Sequence, residues 1–313
     1  MASSAGAASA RRVTAVVPLS IGVPVFNGER FLRRTVESLL AQTFDAFELV
    51  ISDNASTDGT EQIARDLAAG DPRVVFLRQP RNLGLAGNYD FLARRASAPY
   101  FKWANSDDLY DPRFLDRCIE ALEKDAGVVL AYARALFIDE DDRPLSEIED
   151  PGFALDFEPA SARLRYVMEA GHWDNALLGV IRTKTLAATR CLPNYPAGDY
   201  ALLGELCVRG RFVEIPEQLL KRRIHPQASS QLARDPERIL RYVTGKLGFS
   251  LPTWYRFRDH LRTILVSEIG VREKLSLIRV LLRLARWQRD HLRADLGFAM
   301  RVAIRRLREL FGG

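Results

Sequence analysis

Three short polar segments in the chain each follow an apolar run, and each carries groups suited to a charged ligand. They are Pro24-Val25-Phe26-Asn27-Gly28-Glu29, Asp53-Asn54-Ala55-Ser56-Thr57-Asp58-Gly59-Thr60 and Asn105-Ser106-Asp107-Asp108. Carboxylates beside a phosphate chain repel it unless a divalent cation lies between them. Hard oxygen donors suit Mg²⁺ or Mn²⁺, which keep several waters and bridge to phosphates. Asp107-Asp108, directly after an apolar run, is the stronger metal element. Asp58 has a plainer role open to it, shaping a turn and capping the next helix. Neither G-x-G-x-x-G nor a phosphate loop ending in Gly-Lys-Ser/Thr occurs, which argues against a dehydrogenase or an ATPase.

These segments need a scaffold that brings them to one place. Residues 20–26, 47–52, 74–77, 100–104 and 127–132 read as short buried strands, and 29–42, 60–69 and about 111–124 as helices. Asp111-Pro112 looks like a helix start, an N-cap followed by proline at the first position. Strands and helices alternating at this spacing form βαβ units, so the fold class is α/β, with a mostly parallel sheet covered by helices. Ligands in such sheets bind at the carboxyl ends of the strands, where the three polar segments fall. Residues 139–160 are acidic and read as a loop; 160–171 is helical, and the pattern is helical again from about 236.

The chain has 313 residues, 47% hydrophobic and 27% charged, enough for a large core without disulfides or structural metal. Cys118, Cys191 and Cys207 are widely spaced and odd in number, which fits buried thiols in a reducing compartment. Val13 to Gly28 is uncharged and follows Arg11-Arg12, but Pro18, Gly22 and Pro24 interrupt it and it is too short to span a bilayer. The expected location is cytoplasmic, possible contact with the inner face of the membrane included. From Arg241 onward there are 16 Lys/Arg against 6 Asp/Glu, a net of +10, whereas the preceding residues sum to −5. Within that tail Leu277, Ile278, Leu281, Leu284 and Ala285 share a helical face, while Arg279, Arg283 and Arg286 recur beside it. Arg301, Arg305 and Arg308 repeat the arrangement. Basic amphipathic helices with a tryptophan suit an anionic membrane surface; packing on the acidic body or a dimer contact is the alternative. No nucleic-acid-binding module accompanies the charge.

The run from Ile21 to Pro112 also carries a resemblance. V-P-V-F-N, D-N-A-S-T-D-G-T, the Asn82-x-Gly84 stretch and Ser106-Asp107-Asp108 stand in the order and spacing of the family 2 inverting glycosyltransferases of GT-A fold. The resemblance covers roughly residues 20–226. It implies a catalytic domain over 19–235; the Ala/Ser-rich start at 1–18 reads as a disordered tail, and 236–313 as a basic helical extension. It implies a nucleotide-diphosphate sugar as donor, a divalent metal, Mn²⁺ or Mg²⁺, and a role in cell-surface glycan biosynthesis. Pro24, Phe26 and Glu29 would line the base and ribose, Asp53 would contact the base, and Asn82, Gly84 and Ser106 would border the nucleotide. The family's metal element is usually Asp-x-Asp; here Asn105 replaces the first acid, leaving Asp107 as the best ligand, with Asp108 next.

Inverting transfer also needs a base to take the proton of the acceptor hydroxyl. Asp199, in Gly198-Asp199-Tyr200, resembles the family's base segment, with a helix N-cap as its plainer reading. Arg223-x-His225 resembles an element whose histidine approaches metal or diphosphate, although a structural role for His225 stands equally open. His172 and Trp173 fall where an acceptor loop could stack an aromatic on a sugar. The acceptor, whether glycan, lipid-linked glycan or small molecule, has no code in the sequence. A sugar nucleotidyltransferase is disfavoured because no Gly-rich loop with lysine follows the first strand. A binding module that has lost turnover is kept open by Asn105.

Overall fold

The computed structural model describes residues 17–150, 152–170, 174–232 and 234–311. The tail expected at 1–18 lies almost wholly outside the described residues, as do His172 and Trp173. The first apolar run forms β1 (Leu19–Val25), buried at every position. In parallel beside it run β2 (Phe47–Asp53) and β4 (Tyr100–Trp103), with β3 (Val74–Arg78) beyond β2. Register opposes Val25 to Asp53 and Gly22 to Trp103, so the loops after β1, β2 and β4 open along one edge.

The other half of the sheet is mixed. β7 (Val180–Arg182) runs antiparallel to both β4 and β6 (Val128–Ile138). β8 (Arg211–Arg223) lies parallel to β6, and β5 (Leu109–Tyr110) pairs antiparallel with its far end. The strand order is β3-β2-β1-β4-β7-β6-β8-β5. β6 continues to Ile138, past the expected end at Tyr132, because β8 supplies a partner along its whole length.

Helices cover both faces. On one lie α1 (Leu32–Leu40), α2 (Thr60–Gly70) and α4 (Phe114–Lys124); α1 turns Leu32, Thr35, Val36 and Leu39 inward at helical spacing. Asp111-Pro112 is a turn before α4 and not its first residues: Asp111 Oδ1 accepts from Arg113 N and its carbonyl from Phe114 N. The opposite core holds α3 (Gly84–Arg95), α5 (Ala160–Ala170) and α7 (Asp199–Cys207). The sequence pattern does not announce α3, because it buries Gly84, Ala86 and Asn88 as well as Leu92 and Ala93. Asn88 earns its burial by donating to the Ser52 carbonyl. Cys118, Cys191 and Cys207 are all buried free thiols, as their spacing suggested.

The basic tail is helical throughout: α9 (Pro236–Thr244), α10 (Pro252–Val266), α11 (Val271–Trp287) and α12 (Arg289–Phe311), after the short α8 (Ser229–Leu232). Ile264 of α10 and Leu277, Val280 and Leu281 of α11 join the core of α5 and α7. α9 docks on α3 at Gly84 and Gly245, with φ of +76° and +73°. A Cβ on Gly84 would stand 2.4 Å from Gly245 N, so only glycine fits.

α10 reaches α7 through His260, which packs against Gly204 with its Nδ1 buried and without a hydrogen-bond partner. Burial first, then the Arg256 charge, push the imidazole down to about 3 from 6.5, against a pull upward from Asp259. In the unfolded chain it takes up a proton near 6.5, which the folded chain refuses until about 3. Stability from this residue is therefore present above 6.5 and is lost as pH falls through that window, at roughly 1.4 kcal/mol per pH unit. Urea unfolding at about pH 7 and about pH 5 should show a smaller loss for His260→Leu than for the wild type; equal losses would contradict the assignment.

Candidate active site

At the carboxyl ends of β1, β2 and β4 lies a cavity of about 840 Å³. The loops after β1 and β2 reach it as one stitched unit. Asn27, at φ +52°, accepts from Thr57 N through Oδ1 (2.9 Å) and donates its own N–H to Ser56 Oγ (2.8 Å). Gly28 N donates to Thr60 Oγ1 (2.8 Å), Gly59 N to Glu29 Oε2 (2.7 Å), and Glu29 N to Asp58 Oδ2 (3.2 Å). Asp58 also accepts from Thr60 N, so it shapes the turn.

Of the residues expected at a nucleotide, Pro24, Phe26, Asn82, Ser106 and Asp107 line the cavity. Asp53 sits beneath it: fully buried, it pairs with Arg78 and accepts from Ser56 N. Its neighbour Asn54 faces the cavity instead and bonds Leu83 N, Asn82 Oδ1 and the Gly84 carbonyl. Glu29 and Gly84 brace the wall from behind, through Gly59 and Gly245.

The acidic segment divides its work. Asp108 is buried, with Oδ1 accepting from Arg223 N (2.9 Å), Oδ2 from Asn105 Nδ2 (2.9 Å), and its carbonyl from Thr35 Oγ1 (2.8 Å). Burial foremost, and the neighbouring Asp107 charge, push its carboxyl up to about 7. Both carboxylate oxygens of this expected metal ligand are thus engaged within the protein. Asp107 Oδ2 instead meets His225 Nε2 at 2.9 Å. That contact, the larger influence, holds the imidazole above its ordinary range, against partial burial. Phe31 fixes the pair from below: its ring lies 5.2 Å from that of His225 and 4.6 Å from the Arg223 guanidinium. Arg223 Nε donates to the Asp107 carbonyl (2.8 Å).

Among the described residues no group of three or more His, Cys, Asp or Glu forms a metal cage. Asp107 and His225 still fit a hard divalent cation, which commonly takes one or two protein carboxylates and completes its shell with phosphate and water.

Asp199 lines the far side of the cavity as the first residue of α7. The N-cap is Gly198, without a side-chain cap bond, so Asp199 is not the helix cap. Its Oδ1 accepts from Tyr200 N (3.1 Å), and its charge meets the positive end of the helix. Ala197 before it has φ +64°, and a Cβ on Gly198 would lie 2.4 Å from the Pro193 carbonyl. Beneath the floor, Lys102 is fully buried over the rings of Tyr110 and Phe114, each 4.3 Å away, and donates to the Leu178 carbonyl. Burial pushes its ammonium down to about 7.

Sequence reasoning missed Asn54, Tyr89, Arg222, Arg241 and Tyr242, all lining the cavity. Arg222 stood next to the noticed Arg223-x-His225, but Tyr89 lies in the unexpected α3. Arg241 and Tyr242 belong to α9, where they counted only as tail.

Residues 20–173 match the sequence model of glycosyl transferase family 2. Chondroitin synthase of Escherichia coli is 33% identical over 131 residues, 42% of this chain and 19% of that protein. The chain spans half or less of the length of the curated relatives it matches. In fold it is similar to S. aureus TarS in complex with UDP-GlcNAc (TM-score 0.67, 14% identity, 91% of this chain and 81% of that one). It is also similar to the mannosyltransferase PcManGT from Pyrobaculum calidifontis in complex with GDP-Man and Mn²⁺ (TM-score 0.51, 15% identity, 96% and 88%). The fold is GT-A-like, as in these two proteins. Over residues 20–173 the chain is similar to glycosyl transferase family 2.

Asn105 now has a physical account. Its Oδ1 accepts from Tyr89 OH while its Nδ2 donates to Asp108. An aspartate there would lose the donor and face a second carboxylate. Asn105→Asp should therefore cost about 1–3 kcal/mol of stability by urea unfolding near neutral pH; an unchanged midpoint would contradict this account.

Proposed function

We propose that this domain is a metal-dependent inverting glycosyltransferase that passes a sugar from a nucleotide-diphosphate donor to an acceptor hydroxyl. One observation carries the reading: Asp107 and Asp199 line the same cavity, with residues of the β1 and β2 loops forming part of its wall. TarS and PcManGT, named with UDP-GlcNAc and with GDP-Man and Mn²⁺, support a nucleotide-sugar donor and a divalent metal without naming the sugar or base here.

Pro24, Phe26, Asn54 and Asn82 would border the nucleoside, with Asp53 and Arg78 holding their loop rigid from beneath. Asp107 and His225 would hold Mn²⁺ or Mg²⁺, and Asp108 would keep their turn in place. When bound, the cation supplies positive charge that offsets what builds on the departing diphosphate. Asp199 would take the acceptor's proton as the hydroxyl attacks the anomeric carbon from the face opposite the leaving group. His172 and Trp173, in the segment before β7, remain the proposed acceptor contacts. The acceptor is a glycan, a lipid-linked glycan or a small molecule, and the setting is cytoplasmic and peripheral on the inner face of a membrane.

Thermal stabilisation and hydrolysis across UDP-, GDP- and dTDP-sugars, with and without Mn²⁺, test these roles. One nucleotide should stabilise the chain only with metal, and Asp107→Ala should abolish that effect. Asp199→Asn should bind the donor normally yet turn over roughly 100- to 10,000-fold more slowly. Pyrophosphate as the product would favour the nucleotidyltransferase. Binding without any turnover in the wild type would favour a degenerate module.

A further inference from the structure

The transfer reaction leaves unused the outer face of the C-terminal helices. Only residues 267–270 join α10 to α11, and Lys274 Nζ donates to the Leu265 carbonyl at 2.9 Å, so the two helices form a hairpin. The inner face of α11 is fixed by buried Leu277, Val280 and Leu281. On its outer face Val271 is 74% exposed, Leu275 50% and Leu282 58%. At 100° per residue these three fall within a sector of about 40°. Leu261 and Leu265, spaced one turn apart on α10, are exposed as well.

Arginines border the apolar row. Arg279 and Arg286 follow it on the helical wheel, with Arg272 next, and all three are exposed. None makes an ion pair among the described residues, whereas Arg283, further round, pairs with Glu169. The single acid of α11, Glu273, is spent on Gly270 N and Ser161 Oγ. The connection adds one exposed acid, Glu268. Trp287 stands 76% exposed at the end of the helix.

A row of half-exposed aliphatic side chains marks a surface that something covers. Its coupling to unpaired cations selects the occupant. An anionic bilayer takes up apolar side chains without shape complementarity and presents phosphates along their edge, where basic residues and tryptophan settle.

We propose that the α10–α11 hairpin face is a docking surface for an anionic lipid bilayer, with Val271, Leu275 and Leu282 entering the headgroup boundary and Arg272, Arg279 and Arg286 meeting lipid phosphates. The proposal deepens the location given above but does not depend on the transfer chemistry, because flotation reads the surface and hydrolysis reads the cavity.

The test is flotation of the full chain with phosphatidylcholine vesicles, with and without phosphatidylglycerol. Wild type should float with the anionic vesicles alone and be released by high salt. Arg272→Gln/Arg279→Gln/Arg286→Gln should weaken partitioning on the order of 100-fold. Leu275→Ser/Leu282→Ser should weaken it while the charge is unchanged. Both variants change exposed residues; unchanged melting temperatures and unchanged nucleotide-sugar hydrolysis would exclude misfolding. The proposal is overturned if wild type does not float with anionic vesicles, if it floats equally without phosphatidylglycerol, or if the variants float like wild type. It is also overturned if light scattering shows a wild-type dimer that the variants dissolve, since a second copy would then cover the face.

Discussion

One buried carboxylate holds the cavity in register. Asp108 brings together the turn after β4, the end of β8 and helix α1, and it can be buried only because each oxygen has a donor. Its backbone neighbour Asp107 is consequently held at the cavity rim, its own carbonyl clamped by Arg223 and its carboxylate set against His225. Two adjacent acids thus do opposite work, one satisfied inside the protein and one available to a ligand. Asn105 in place of the first acid of the usual Asp-x-Asp element suits the same constraint, since an amide, unlike an ionised carboxylate, can accept from Tyr89 and donate to Asp108 at once.

The remaining walls depend on that fixed turn. The β1 and β2 loops are knitted together through Asn27, Glu29, Ser56 and Asp58 and cannot move separately without breaking several hydrogen bonds. Left-handed backbone at Asn27, Ala55 and Ala197 falls in three segments that meet at or beside the cavity. Such strain in non-glycine residues persists where surrounding contacts overdetermine it, and it clusters at functional sites. α9 closes the far wall, anchored at the Gly84–Gly245 contact and linked to α12 by the Glu237–Arg305 ion pair. Among the described residues no helix is long and apolar enough to cross a membrane.

The parallel half of the sheet was readable because β1, β2 and β4 are nearly continuous apolar runs ending in polar segments. α3 was not, because small residues and Asn88 form its inner face in place of a leucine stripe. The acidic segment was readable as a candidate site, but which of Asp107 and Asp108 faces outward depends on β8, a hundred residues later, supplying Arg223 N. Asp199 was readable at a helix start, though the steric demand that makes Gly198 the cap lies in Pro193. The inward faces of α11 followed from its periodicity. That α9 would line the cavity did not, since periodicity defines an apolar face without naming what it meets.

The measurement that tests the proposed inverting transfer most directly is proton NMR of the sugar first released on hydrolysis of the preferred α-linked nucleotide sugar. Attack opposite the leaving diphosphate predicts that the β-anomer appears first and then mutarotates. Initial release of the α-anomer would contradict in-line attack guided by Asp199.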